Sequence, residues 1–136
     1  MCFKDKEYQM SDAVLEHVNI TVTNPDKTAS MLCQLFGWHI RWQGDAKDGG
    51  RSIHVGSDTS YLAVYSPKTP PTQTYNNYAT IGGLNHVGIV VGDLDALEAK
   101  VIASGYKPHS HADYEPGRRF YFHDEDGVEY EVVSYA

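Results

Sequence analysis

Leu84-Asn85-His86-Val87-Gly88-Ile89-Val90-Val91-Gly92-Asp93 repeats, with few changes, the earlier stretch Leu15-Glu16-His17-Val18-Asn19-Ile20-Thr21-Val22-Thr23-Asn24. At an offset of 69 residues Leu15/Leu84, His17/His86, Val18/Val87, Ile20/Ile89, Val22/Val91 and Asp26/Asp95 coincide, and with one residue of slippage Gly37-Trp38 falls on Gly105-Tyr106. An internal repeat is read before other features because it dictates architecture. Two copies point to a pseudo-twofold pair of modules rather than a solenoid. Each copy is a short strand by its period of two: Val18, Ile20 and Val22 face one way, His17, Asn19 and Thr21 the other.

Outward from these strands both halves follow one plan. Asn24-Pro25-Asp26 breaks the first strand and opens a helix to about Phe36, with Met31, Leu32, Leu35 and Phe36 as its apolar face and Gly37 as its C-cap. Strands are expected near 38–42, 51–55 and 61–65, with the polar, glycine-rich run 43–50 as a hairpin loop. The second half places its strand at 85–91 and its helix at 94–104. Further strands follow at 106–109, 118–123 and 128–135. The loop through Pro116-Gly117 would leave His109 and His111 on the surface. The predicted class is therefore α+β: two βαβββ modules forming a curved mixed sheet of eight strands, helices outside, around a concave cavity. The expected division is a tail at 1–11, module one at 12–66, a Pro- and Thr-rich linker at 67–81 and module two at 82–136.

Composition narrows the function classes. Hydrophobic residues at 41% and charged residues at 21% describe a globular chain. A net charge of -7 without a basic stripe argues against nucleic acid or an anionic membrane surface as partner. No apolar run approaches the length of a membrane span. Cys2 and Cys33 lack any disulfide or zinc-site pattern and suit free thiols in a reducing cytoplasm.

Alternation selects the cavity-facing residues. His54 lies opposite Ile53 and Val55; Tyr61, Ala63 and Tyr65 lie opposite Leu62 and Val64. In module two Arg119, Tyr121 and His123 oppose Phe120 and Phe122, and Glu129, Glu131 and Val133 share one side of the last strand. His17 precedes Ala63 by 46 residues and His86 precedes Glu131 by 45, so Ala63 and Glu131 are equivalent. Of these four related positions, three carry metal donors: His17, His86 and Glu131. Two imidazoles and one carboxylate form a facial triad that leaves about three positions of an octahedral ion open, a ligand set used by Fe(II) oxygenases. Each residue has a plainer reading: hydrogen-bonded strand histidines, an exposed carboxylate (the reading preferred for Glu129), packing tyrosines and a solvated Arg118-Arg119 pair at the pocket rim.

The segments LEHVNITV, LNHVGIVVGDLD and YFHDEDGVEYEVV resemble the vicinal oxygen chelate superfamily, which includes glyoxalases, bleomycin-resistance proteins and extradiol dioxygenases. The resemblance spans about Leu15 to Tyr135. It implies metal ligands at His17, His86 and Glu131, with Fe(II) or Mn(II) favoured and Zn(II) or Ni(II) as alternatives. Ala63 departs from the four-ligand pattern of glyoxalase-I-like members. Tyr121, ten residues before Glu131, is similar in spacing to the extradiol dioxygenase signature. Tyr121 and His54 are the candidate acid/base residues; Tyr61, Tyr65 and Arg119 are the candidate substrate contacts. The implied activity is metal-dependent and extradiol-like, on a small molecule chelated through neighbouring oxygens. A lyase, isomerase or fosfomycin-type thiol transferase, and a metal-free drug-binding protein, are the alternatives. A homodimer is expected, and exchange of modules across it would let His17 of one chain meet His86 and Glu131 of another.

Overall fold

The computed structural model describes residues 12–72, 77–115 and 117–136. The expected tail at 1–11 with Cys2, linker residues 73–76 and Pro116 lie outside the described residues. Module one runs β1 (His17–Thr21), α1 (Pro25–Phe36), β2 (His39–Ala46), β3 (Gly50–Gly56) and β4 (Tyr61–Ser66). Module two runs β5 (Val87–Val90), α2 (Leu94–Ala103), β6 (His109–Tyr114), β7 (Gly117–His123) and β8 (Glu129–Ser134). The βαβββ order thus occurs twice, as the repeat requires.

Both helices start by the same device. Asn24 accepts the Lys27 N–H at 3.2 Å and Asp93 accepts the Ala96 N–H at 3.0 Å, so each satisfies one otherwise orphaned donor of the first turn. Pro25 adds a preset φ at the first helical position of α1. Gly37 at φ 68 closes α1 in the left-handed region, its N–H returning to Cys33 O at 3.0 Å. The Asp26/Asp95 match in the repeat has a structural meaning: Arg51 of β3 bonds Asp26 at 3.0 Å and Arg118 of β7 bonds Asp95 at 2.8 Å. Each ion pair ties a helix's first turn to its own sheet.

The strands form two mixed four-stranded sheets, ordered β1-β4-β3-β2 and β5-β8-β7-β6. The first strand of each module runs parallel to the last, and the remaining pairs are antiparallel. The eight strands are not hydrogen-bonded into one ladder; β1 and β5 remain edges. The modules meet through the helices instead. α1 contacts α2, Phe36 stacks near Phe122 with ring centroids 6.4 Å apart, and the Thr23 N–H donates to Asp126 at 3.0 Å. Leu32, Ile53, Val55, Val101, Phe120, Phe122 and Tyr130 belong to a single buried cluster spanning both modules. Burying the helix side of both sheets in one core leaves their opposite faces outward. The short module-two strand expected near 106–109 is displaced: β6 begins at His109 and pairs with β7, which puts His109 and His111 in a strand rather than a surface loop. Polar side chains disguised it, because a strand whose ladder holds it in place need not alternate cleanly.

Candidate functional site

The outward face of module two gathers donors on neighbouring strands. Tyr121 is registered against Glu131, and Gly88 against the same Glu131, so three strands converge on one carboxylate. Glu131 Oε2 accepts from the Tyr121 hydroxyl at 2.7 Å and from Arg119 at 3.0 Å; Oε1 stands 3.6 Å from His86 Nε2. The carboxylate is 14% exposed and the guanidinium side chain 10%. A Cβ added at Gly88 would lie 3.6 Å from Glu131 Oε1, at ordinary contact. The hydrogen bond to Glu131, aided by burial, pushes the Tyr121 phenol up to about 12, so it remains a proton donor throughout the neutral range. Arg119 is held by two further bonds to Gly117 O and lies over the Tyr114 ring at 4.7 Å. It is therefore an inward ion-pair partner and not a solvated rim residue. The Tyr78 hydroxyl reaches both Glu129 and, at 3.4 Å, His86 Nδ1.

Module one presents an aromatic stack at the same positions. Tyr61 packs against both His17, centroids 4.9 Å apart, and His54, 4.6 Å apart; the two imidazoles lie 6.4 Å from each other, and Trp42 stands 4.9 Å from His54. Arg41 sits over the Tyr61 ring at 4.6 Å. Burial first, then the charges of His17 and Arg41, depress the His54 imidazole below its usual value. His17 Nδ1 is 2.9 Å from Glu16, and Tyr61 donates to that same carboxylate oxygen at 3.2 Å. Ala63 is buried in the sheet against His54. Tyr65 turns aside to donate to Lys47 O at 2.7 Å, which pins the turn between β2 and β3.

The register verifies that Ala63 and Glu131 are equivalent, since they pair with His54 and Tyr121 respectively. The structure brings together His86, Glu131, Tyr121 and Arg119. His17, His54 and Tyr61 form a second group on the other sheet. Among the described residues, donors gathered closely enough to hold an ion are His109, His123 and Glu129, within 4.8 Å of one another; His17, His86 and Glu131 form no such group in one chain. Glu129, read from sequence as exposed, has a side chain only 12% exposed, close to His109 and His123. Its alternation with Glu131 was visible beforehand, but the covering Tyr78 comes from the linker and carried no signal. A cleft of about 300 Å³ between β1, the linker and the β7–β8 turn is lined by none of these site residues.

The model of the Glyoxalase/Bleomycin resistance protein/Dioxygenase superfamily matches residues 14–132. The chain belongs to this superfamily. Its fold is shared by a glyoxylase/bleomycin resistance protein/dioxygenase domain from Frankia sp. EAN1pec, at 19% identity and TM-score 0.77 over 91% of this chain and 98% of that one. A FosX mutant from Listeria monocytogenes, crystallised with Mn(II) and 1S,2S-dihydroxypropylphosphonic acid, has 17% identity and TM-score 0.67, covering 90% and 92%. A glyoxalase I mutant from Zea mays has 16% identity and TM-score 0.72, covering 88% of this chain and 43% of that one. No curated protein matches. In the described residues no helix is long and apolar enough to cross a membrane.

Proposed function

We propose that this chain is a metal-dependent enzyme of the superfamily, extradiol-like, acting on a small substrate that presents two neighbouring oxygens. The observation that carries the reading is the convergence of His86, Tyr121 and Arg119 on Glu131 at one outward sheet face. The imidazole and carboxylate fit a divalent cation, Fe(II) or Mn(II) in preference, with Zn(II) or Ni(II) as alternatives. His17 supplies the third ligand from a second copy of the chain. Support comes from the edge strands β1 and β5, each with one open side, which carry exposed Val18 and Val90, with exposed Val14 and Leu15 just before β1. Apolar side chains along open sheet edges favour association. Pairing of copies there would carry the face of module one toward that of module two, with Tyr61 and Tyr65 as ring contacts.

When bound, the cation supplies Lewis acidity and lowers the pKa of a coordinated hydroxyl. Tyr121 holds its proton next to the ligand carboxylate and can pass it to a substrate oxygen. His54, kept neutral by burial, is suited to accept one. Arg119 fixes the Glu131 carboxylate and would bind an anionic substrate group on displacement.

Complementation tests the shared site. H17A and H86A chains each lack a ligand, and co-expression should restore metal in heterodimers to about a quarter of wild-type sites, one site in each mixed pair. No restoration would rule out a site built across two chains. Oxygen uptake with a panel of catechols then separates ring cleavage from lyase, isomerase or transferase chemistry on the same centre.

The Arg119–Glu131 ion pair favours a second reading, a metal-free binding protein, because Arg119 already compensates the carboxylate. Elemental analysis of wild type against H86A, both purified without chelator, distinguishes the two: metal lost in the variant supports the enzyme, and equal content supports the metal-free reading of this centre.

A further inference from the structure

Two residues along β8 from Glu131, a different trio closes on itself. His123 Nε2 stands 3.1 Å from Glu129 Oε2, and His109 Nε2 stands 3.9 Å from the same oxygen. One donor comes from each of β6, β7 and β8, and the ladder fixes their places: His109 opposite Tyr121, His123 opposite Glu129. Donors sharing one ion through bonds of about 2.0–2.1 Å lie roughly 3.0–3.4 Å apart. The His123–Glu129 spacing lies in that range; the His109–Glu129 spacing lies beyond it, and the three ligand atoms fall within 4.8 Å of one another, so binding requires the His109 side chain to swing inward. The two imidazoles are stacked, centroids 4.9 Å apart at 11°. Ser110 Oγ lies 2.9 Å from His109 Nδ1, and His109 Nε2 lies 3.1 Å from His123 Nδ1; with Nδ1–H donating to Ser110, the Nε2 lone pair faces His123 and would turn to the ion in exchange for that contact.

The backbone is bent to make this possible. β6 loses register between His109 and Ala112, and Ser110 there has φ 56, a left-handed value uncommon for a residue with a side chain. Strain of this kind concentrates where a side chain must be aimed. Among the described residues, the ion-pair partners of Glu129 are His109 and His123 alone. Module one shows that the fold does not require the trio. Its equivalent positions are Trp42, Gly56 and Tyr61, where no carboxylate or imidazole stands.

We propose that His109, His123 and Glu129 form a second divalent-cation site, separate from the His86–Glu131 centre. Two nitrogen donors and one carboxylate oxygen select a zinc-class ion over Mg(II) or Ca(II) and leave a fourth position for water or a ligand atom. The site is linked to the first centre by Tyr78, whose hydroxyl contacts both Glu129 and His86. It does not depend on the enzymatic reading, because neither His86, His17 nor Glu131 is a ligand.

The test is Co(II) titration of the full chain after chelator treatment, in an H86A/E131Q background that removes the other centre. One Co(II) per chain should bind there, with the visible absorption of a four-coordinate ion. Adding H109A or H123A should weaken binding by more than about 100-fold, since loss even of outer partners of a metal site costs about 10–100-fold. A background that binds no Co(II), or triple variants that bind it unchanged, would overturn the site. In case the variants do not fold, Zn(II) added to the wild-type protein should shift the ring-nitrogen NMR signals of His109 and His123. Unshifted signals at saturating Zn(II) would equally dismiss it.

Discussion

His17, Trp42, His54 and Tyr61 in module one occupy the places that His86, His109, Tyr121 and Glu129 hold in module two. One fold unit, built twice, carries two chemistries on its outward face. In module one the side chains stack ring on ring. In module two they form a network of carboxylates, imidazoles and phenols. The main determinant is where carboxylates stand: Glu131 replaces Ala63 and Glu129 replaces Tyr61. Each carboxylate collects donors around it, whereas an apolar or aromatic residue at the same place collects rings. The helix sides differ less. Both modules keep the capped helix and the Arg–Asp clamp, though α1 buries six residues and α2 three.

The strongest way to break the comparison is to make module two resemble module one. Glu131→Ala should reduce metal binding by well over about 100-fold, the scale set by lost outer-shell partners. Elemental analysis measures this, and unchanged metal content would mean that the carboxylate distinguishes the modules structurally but not chemically.

Next in size are the helix cores. Leu32 is fully buried and Leu97 is 6% exposed. Leu32→Ala should cost about 3–5 kcal/mol and Leu97→Ala about 2–3 kcal/mol, within the range for leucine truncation in a packed core. Urea denaturation reads the difference, and the reverse order would show that α2 rather than α1 anchors the joint core.

The caps should be equal. Asn24→Ala and Asp93→Ala should each lower stability by about 1 kcal/mol, since each removes one side-chain acceptor from a first helical turn. Unequal losses would reveal that one helix is held mainly by its packing.

The smallest effect is the most specific, because His54 and Tyr121 are the same position in the two modules. The depressed His54 contributes stability that is present above its unfolded value of 6.5 and is lost as pH falls through its lower folded value. The raised Tyr121 contributes stability that is present below 10.0 and is lost as pH rises toward about 12. Stability–pH curves of H54Q and Y121F should therefore differ from wild type on the acid limb and the alkaline limb respectively, and only slightly, since both side chains are partly solvated.

The repeat, the order of elements, the ends of α1 and the chemistry-bearing side of β3, β4, β7 and β8 were legible in the sequence alone. Their physics is local: period-two alternation, a capping side chain, a glycine that tolerates positive φ. The equivalence of Ala63 and Glu131 followed by counting because hairpins of nearly equal length preserve register. Tertiary structure decided the rest. Only packing determined that the modules join through α1, α2 and Phe36 against Phe122, leaving β1 and β5 as edges and parting His17 from His86 within a chain. Only the bulge at Ser110 aimed His109 at His123 and Glu129, and only the folded linker set Tyr78 between the two groups of donors. Such contacts join residues far apart in the chain, and no local pattern records them.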